Sequence, residues 1–118
     1  MLFLTFFLIQ SCDSEIEEGV MKSDLKKDVE MVTNYGTIIM RLSDKTPKHR
    51  NNFIKLVNQK FYDSLLFHRV IEKFIIQTGD PESKLKNSEK ELGESDLPYR
   101  IPAEFKPELF HKRGSLNA

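Results

Sequence analysis

The sequence contains no tryptophan and only one cysteine. A lone cysteine excludes an intramolecular disulfide. Charge of one sign is not in excess either, since 18 basic residues balance 18 acidic ones. That balance removes any long-range pull toward nucleic acid, which is not expected as a partner. A membrane-spanning run is also missing: the apolar stretch over residues 1–10 falls well short of the ~20 residues a spanning helix needs. What is present fits one folded domain, because 118 residues with 39% hydrophobic content and nine phenylalanines can bury a core.

Residues 1–10 carry no charge and match the apolar region of a secretory signal, without its usual leading Lys or Arg. The segment Ile9-Gln10-Ser11-Cys12 resembles a bacterial lipobox, with a small residue directly before the cysteine. It predicts residues 1–11 as a signal peptide and 12–28 as a lipidated Cys12 followed by a flexible tether. Two acyl chains on Cys12 would hold the protein to a lipid bilayer in a bacterial cell envelope. The other reading of Cys12 is an ordinary thiol. Residues 13–28 are charged and lack apolar periodicity, as a tether should be. Their acidic part, residues 13–18, resembles the sorting segments of some envelope lipoproteins and reads equally as a solvated linker.

From Val29 onward the pattern is mainly β. Residues 29–33 alternate, Asn34-Tyr35-Gly36 signals a turn, and residues 37–42 alternate again, which predicts a hairpin. Thr46-Pro47 reads as an N-cap with proline at the first helical position. Phe53, Leu56, Val57 and Lys60 or Phe61 then form an apolar stripe at helical spacing, placed to plug one end of a sheet. His49, in the first turn, reads as a solvated surface residue.

The chain is organised around Phe67-His68-Arg69-Val70-Ile71, Glu72-Lys73 and Phe74-Ile75-Ile76-Gln77-Thr78. The two apolar runs read as short strands and the polar pair between them as a turn. With Arg69 opposite Gln77, a cation and an amide project to one face among apolar neighbours, with Phe67 and Ile75 on the same face. Burying such groups costs free energy unless they have work to do. Gly79-Asp80-Pro81 reads as a structural turn in which Asp80 bonds nearby amides. Residues 82–98, rich in Ser, Glu, Lys and Gly, read as a long loop, first as a tolerated surface insertion and otherwise as a lid or binding loop. Tyr99 to Ile101 resumes an apolar pattern, and residues 115–118 read as the start of another strand.

The run from Phe67 to Gln77, with Gly79-Asp80-Pro81, resembles the signature of the cyclophilins, a family of peptidyl-prolyl cis–trans isomerases. The likeness extends from about Val29 to Ala118, taking in Asn34-Tyr35-Gly36, Ile101-Pro102-Ala103-Glu104-Phe105 and His111-Lys112-Arg113-Gly114. It implies a mainly β fold with one or two helices: an eight-stranded antiparallel barrel in the full domain, of which four to five strands lie in residues 29–118. Half a barrel predicts unpaired edges, low solubility and little turnover from these residues alone.

The resemblance also implies a chemistry. An X–Pro amide resists twisting by ~18–20 kcal/mol because its C–N bond has partial double-bond character. No covalent bond breaks, so no metal or organic cofactor is required. Catalysis needs tighter binding of the twisted amide than of either planar form. A fixed cation facing the pyramidal proline nitrogen supplies this in a water-poor groove. By resemblance Arg69 is that cation, Gln77 orients it and contacts the substrate carbonyl, and Phe74 and Ile75 form part of the proline pocket. Phe67 and His68 flank the site. Thr78 stands where most relatives have glycine. The implied partners are proline-containing unfolded or exported polypeptides. Two other readings stay open: a non-catalytic prolyl-peptide-binding or chaperone module, and an inactive truncated product.

Overall fold

The computed structural model describes residues 15–84, 91–95 and 97–118. Cys12 and the expected signal peptide lie outside the described residues. Six short strands and one α-helix follow in order: β1 (Glu15–Glu17), β2 (Val20–Met21), β3 (Val29–Thr33), β4 (Gly36–Met40), α1 (Pro47–Asn58), β5 (Arg69–Ile71) and β6 (Ile75–Gln77). The strands pair as three separate antiparallel two-stranded sheets, so no barrel closes among the described residues.

The β3–β4 hairpin forms because alternation and turn chemistry agree. Val29, Met31 and Thr33 are half-buried, whereas Glu30 and Val32 are exposed. Met31 faces Ile38 and Val29 faces Met40, which puts the apolar rungs on one side. At the tip, the positive φ falls on Gly36 (+128°), a conformation other residues resist. Thr33 Oγ1 donates to the Gly36 carbonyl (2.7 Å) and accepts from the Tyr35 N–H (3.1 Å). At the open end, Arg41 clasps Asp28 through Nε–Oδ1 (2.7 Å) and Nη2–Oδ2 (2.8 Å). The Arg41 hydrogen bond holds the Asp28 carboxyl below its ordinary range.

Helix α1 begins at Pro47, as expected, but its cap differs from expectation. Thr46 occupies the N-cap position with φ −124° and ψ 66° and makes no side-chain cap bond. Glu104 does that work from across the chain. Its Oε1 accepts from the Lys48 N–H (3.1 Å), and its Oε2 accepts from the His49 N–H (2.9 Å). A carboxylate there satisfies first-turn amides that have no partner within the helix and complements the helix dipole. His49 is therefore a partner of Glu104 (Nδ1 to Oε2, 2.8 Å) and not a solvated surface residue. The helix ends in a Schellman turn: Phe61 N–H reaches Leu56 O and Lys60 N–H reaches Val57 O, both at 2.9 Å. Lys60 takes the left-handed conformation (φ +57°) where glycine is usual.

Of the flexible tether expected over residues 12–28, the described part, residues 15–28, differs most from what is seen. β1 and β2 form a hairpin against α1, and Val20 is 0% exposed. Polar side chains reinforce the docking. Asn58 Nδ2 donates to Gly19 O (3.0 Å) and Asn51 Nδ2 to Glu17 Oε2 (2.9 Å). A charged segment with few apolar residues lacks periodicity, yet one buried valine and a few helix amides suffice to seat it. Ile54 and Leu56 complete the buried core. Beyond the helix, Tyr62 stacks at 5.0 Å on Phe53 and edge-on to Phe61, and burial pushes its hydroxyl up to about 12. α1 thus packs on the β1–β2 hairpin and does not plug a barrel. Residues 115–118, expected to start a strand, form none, because they find no ladder partner among the described residues.

Burial alone would raise the Glu104 carboxyl, but the His49 and Lys48 hydrogen bonds outweigh it and hold the group at about 2, against an ordinary 4.5. A carboxyl depressed on folding stabilises above its unfolded value and ceases to as pH falls through its folded one. The stability gap between wild type and Glu104→Gln is therefore expected to be full at neutral pH and to close between pH 4.5 and about 2. Thermal melts of both proteins across that range check it, and a gap that persists at the acid end overturns it.

Candidate functional site

Strands β5 and β6 carry the residues singled out by the sequence. Their register is Arg69↔Gln77, Val70↔Ile76 and Ile71↔Ile75, as the alternation predicted. The turn is tight: Phe74 N–H reaches Ile71 O (3.1 Å) and Lys73 sits at φ +60°. Opposite placement puts Arg69 and Gln77 on one face, with the Ile71↔Ile75 rung beside them on that face. Arg69 Nη1 donates to Gln77 Oε1 at 3.4 Å, a long bond that still sets the guanidinium against the amide. Among the described residues no carboxylate pairs with Arg69.

The base of this hairpin is tied by side chains. Thr78 Oγ1 donates to Leu66 O (2.9 Å). Leu66 N–H donates to Ser83 Oγ (3.1 Å), and Ser83 Oγ donates to Asp80 O (2.6 Å). Thr78 is thus a structural tie. Asp80 is 4% exposed, and its reach exceeds the local turn expected of it. Oδ1 accepts from the Glu82 N–H at 2.8 Å, and Oδ2 accepts from the Gly93 N–H in the following loop. The Gly93 N–H does most to hold the Asp80 carboxyl below its ordinary range, against burial and with help from Glu82 and Ser95.

That tie swings residues 91–94 over the hairpin. A cavity of about 270 Å³ results, lined by His68, Arg69 and Gln77 on one side and residues 91–94 on the other. Residues 91–94 of the loop read first as a surface insertion form a wall of the site. Gly93 is required there twice over: its φ is +100°, and a Cβ would lie 3.2 Å from His68 Nε2. Both ring nitrogens of His68 are buried without a hydrogen-bond partner. His68 packs beneath the loop and supports the wall.

The apolar part of the site is not gathered in the same way. Phe67 and Ile75 are half-buried and Phe74, in the turn, is 74% exposed. None of the three lines the cavity, which is polar. Arg69 and Gln77 are themselves exposed, so the water-poor groove expected around them is open. Among the described residues no further strand joins this three-rung hairpin, so water reaches that face. Sequence reasoning missed Ser83 and Gly93. The Asp80-to-Gly93 reach has no local signal, although a glycine within a charged loop was a clue to a close approach.

Among the described residues no group of three His, Cys, Asp or Glu side chains is placed to hold a metal ion. No described helix is long and apolar enough to cross a membrane.

Replacing Asp80 with Asn keeps the shape, removes the charge and leaves one accepting oxygen where the carboxylate offers two to the Glu82 and Gly93 amides. Amide exchange at Gly93 is expected to accelerate by about tenfold, while exchange in α1 stays unchanged. Hydrogen-exchange NMR checks it; equal Gly93 protection in both proteins would refute the tie.

Comparison with known proteins follows the same residues. The family model described as cyclophilin type peptidyl-prolyl cis-trans isomerase/CLD matches residues 28–118. A peptidyl-prolyl cis-trans isomerase-like 2 of Rhizopus delemar is 41% identical over 105 residues, covering 86% of this chain and 19% of that protein. A putative bifunctional phosphatase/peptidyl-prolyl cis-trans isomerase of Streptococcus pyogenes is 37% identical over 90 residues, 75% of this chain and 18% of that protein. A putative peptidyl-prolyl cis-trans isomerase of Staphylococcus haemolyticus is 33% identical over 104 residues, 87% of this chain and 49% of that protein. The chain thus spans from under a fifth to about half of these relatives' lengths. No solved structure matches it.

Proposed function

The chain belongs to the cyclophilin-type peptidyl-prolyl cis–trans isomerase family, and from that premise we propose that its β5–β6 hairpin catalyses rotation about X–Pro bonds in exported polypeptides. The observation that carries the reading is the Arg69–Gln77 bond across one rung of the hairpin. Twisting the amide breaks its conjugation and returns a lone pair to the proline nitrogen. The Arg69 guanidinium favours that twisted state. Gln77 orients the guanidinium and offers its N–H₂ to the substrate carbonyl. Ile75 packs on the same face, and Phe67 and Phe74 supply apolar surface for the pyrrolidine ring once a peptide is seated. His68 flanks the site from beneath the loop. The reaction moves no proton between protein and substrate.

One observation favours the second reading, a module that binds prolyl peptides without turning them over: Phe67 and Phe74 do not line the Arg69 cavity. The two readings part on rate. In a version of the chain lengthened to a full cyclophilin-type domain, exchange of an X–Pro peptide is expected to accelerate. Arg69→Ala should lower that rate by more than tenfold, or >1.4 kcal/mol of barrier. Exchange NMR measures it, and an unchanged rate rejects the assigned role.

The protein's place in the cell is read from its first residues. The uncharged run before Cys12 and the small residue at Ser11 support a lipoprotein signal, with acylated Cys12 anchoring the chain to a bacterial envelope membrane. There, a catalyst that needs no nucleotide suits the folding of exported chains, in which prolyl isomerisation is a slow step. Mass spectrometry of the membrane fraction is expected to find Cys12 diacylated at a new N-terminus, and a free thiol there would end the lipoprotein reading.

A further inference from the structure

The cavity beside Arg69 has an acidic wall, and no step of the chemistry above uses it. Glu91 and Glu94 line the cavity with Arg69 and Gln77, two carboxylates against one guanidinium. Neither carboxylate makes a hydrogen bond or ion pair among the described residues, and neither pairs with Arg69. Their position is built. Gly93, between them, is held by the buried Asp80 carboxylate and lies against the His68 ring, in a backbone conformation that favours glycine. The cavity's volume, about 270 Å³, lies just below the ~300 Å³ at which whole-ligand pockets begin and leaves room for a side chain.

Resting on the reading that Arg69 and Gln77 engage a prolyl peptide, we propose that Glu91 and Glu94 form a specificity wall selecting peptides with Lys or Arg beside the proline. Arg69 meets the prolyl amide on the hairpin side of the cavity, so the neighbouring side chain extends toward the loop. A cationic side chain there pairs with two carboxylates that have no other partner among the described residues. An acidic one meets two like charges, an arrangement that rejects wrong partners more strongly than the matched pair attracts.

The test uses the 118-residue chain and three short peptides sharing one Ala-Pro core, flanked by Lys, Ala or Glu. NMR titration at low salt is expected to show the Lys peptide binding about three- to tenfold more tightly than the Glu peptide, the range two exposed charge pairs supply. Shifts should centre on the amides of residues 91–94. The preference should shrink in high salt and disappear in the Glu91→Gln/Glu94→Gln double variant. Equal affinities in the wild-type chain, including no binding of any peptide, overturn the proposal, as does a preference that survives in the double variant. Catalysis is judged separately, by exchange spectroscopy on the version lengthened to a full cyclophilin-type domain. A charge preference in the 118-residue chain with no acceleration by the lengthened version would sink the isomerase reading and leave the wall standing.

Discussion

The buried carboxylate of Asp80 is the contact on which the site depends. One of its oxygens closes the local turn at Glu82, and the other holds an amide thirteen residues further on. Its own carbonyl receives Ser83, which in turn receives Leu66. Hairpin, turn and loop therefore meet at one residue. Without it, the segment carrying Glu91 and Glu94 has no ladder to join, and the cavity beside Arg69 has only one side.

The same economy recurs at the helix. Among the described residues no backbone ladder joins the three two-stranded sheets, and polar side chains that reach across the chain link the elements. Glu104 caps α1 from more than fifty residues away. Asn58 and Asn51 fasten the β1–β2 hairpin to the helix flank. The apolar contribution is narrow, resting on Val20, Ile54, Leu56 and the Phe53–Phe61–Tyr62 cluster. Large apolar side chains such as Val32, Ile39 and Phe105 stay in water.

What was legible in the sequence is what local physics decides. The β3–β4 hairpin follows from alternation around Asn34-Tyr35-Gly36, and the start of α1 from Pro47. The facing of Arg69 and Gln77 follows from a short turn and a period of two. What escaped reading depends on partners distant in sequence. Nothing near Thr46 signals that Glu104 will displace it as the cap, and nothing near His49 announces its carboxylate. Residues 15–28 look like a linker by composition, because Val20 gives no period by itself. The apolar pocket expected from Phe67, Phe74 and Ile75 did not gather around the cavity. Its assembly calls for surfaces that a three-rung hairpin does not supply.

The left-handed residue at the hairpin tip has a wider consequence. With Lys73 turning the chain, the separation of the guanidinium from its amide is decided within nine consecutive residues, independently of any neighbouring element. The pair is thus a self-contained cassette. Transplanted onto another twisted ribbon of matching register, it would keep its internal geometry, while whatever wall the new host provides would decide which peptides it meets.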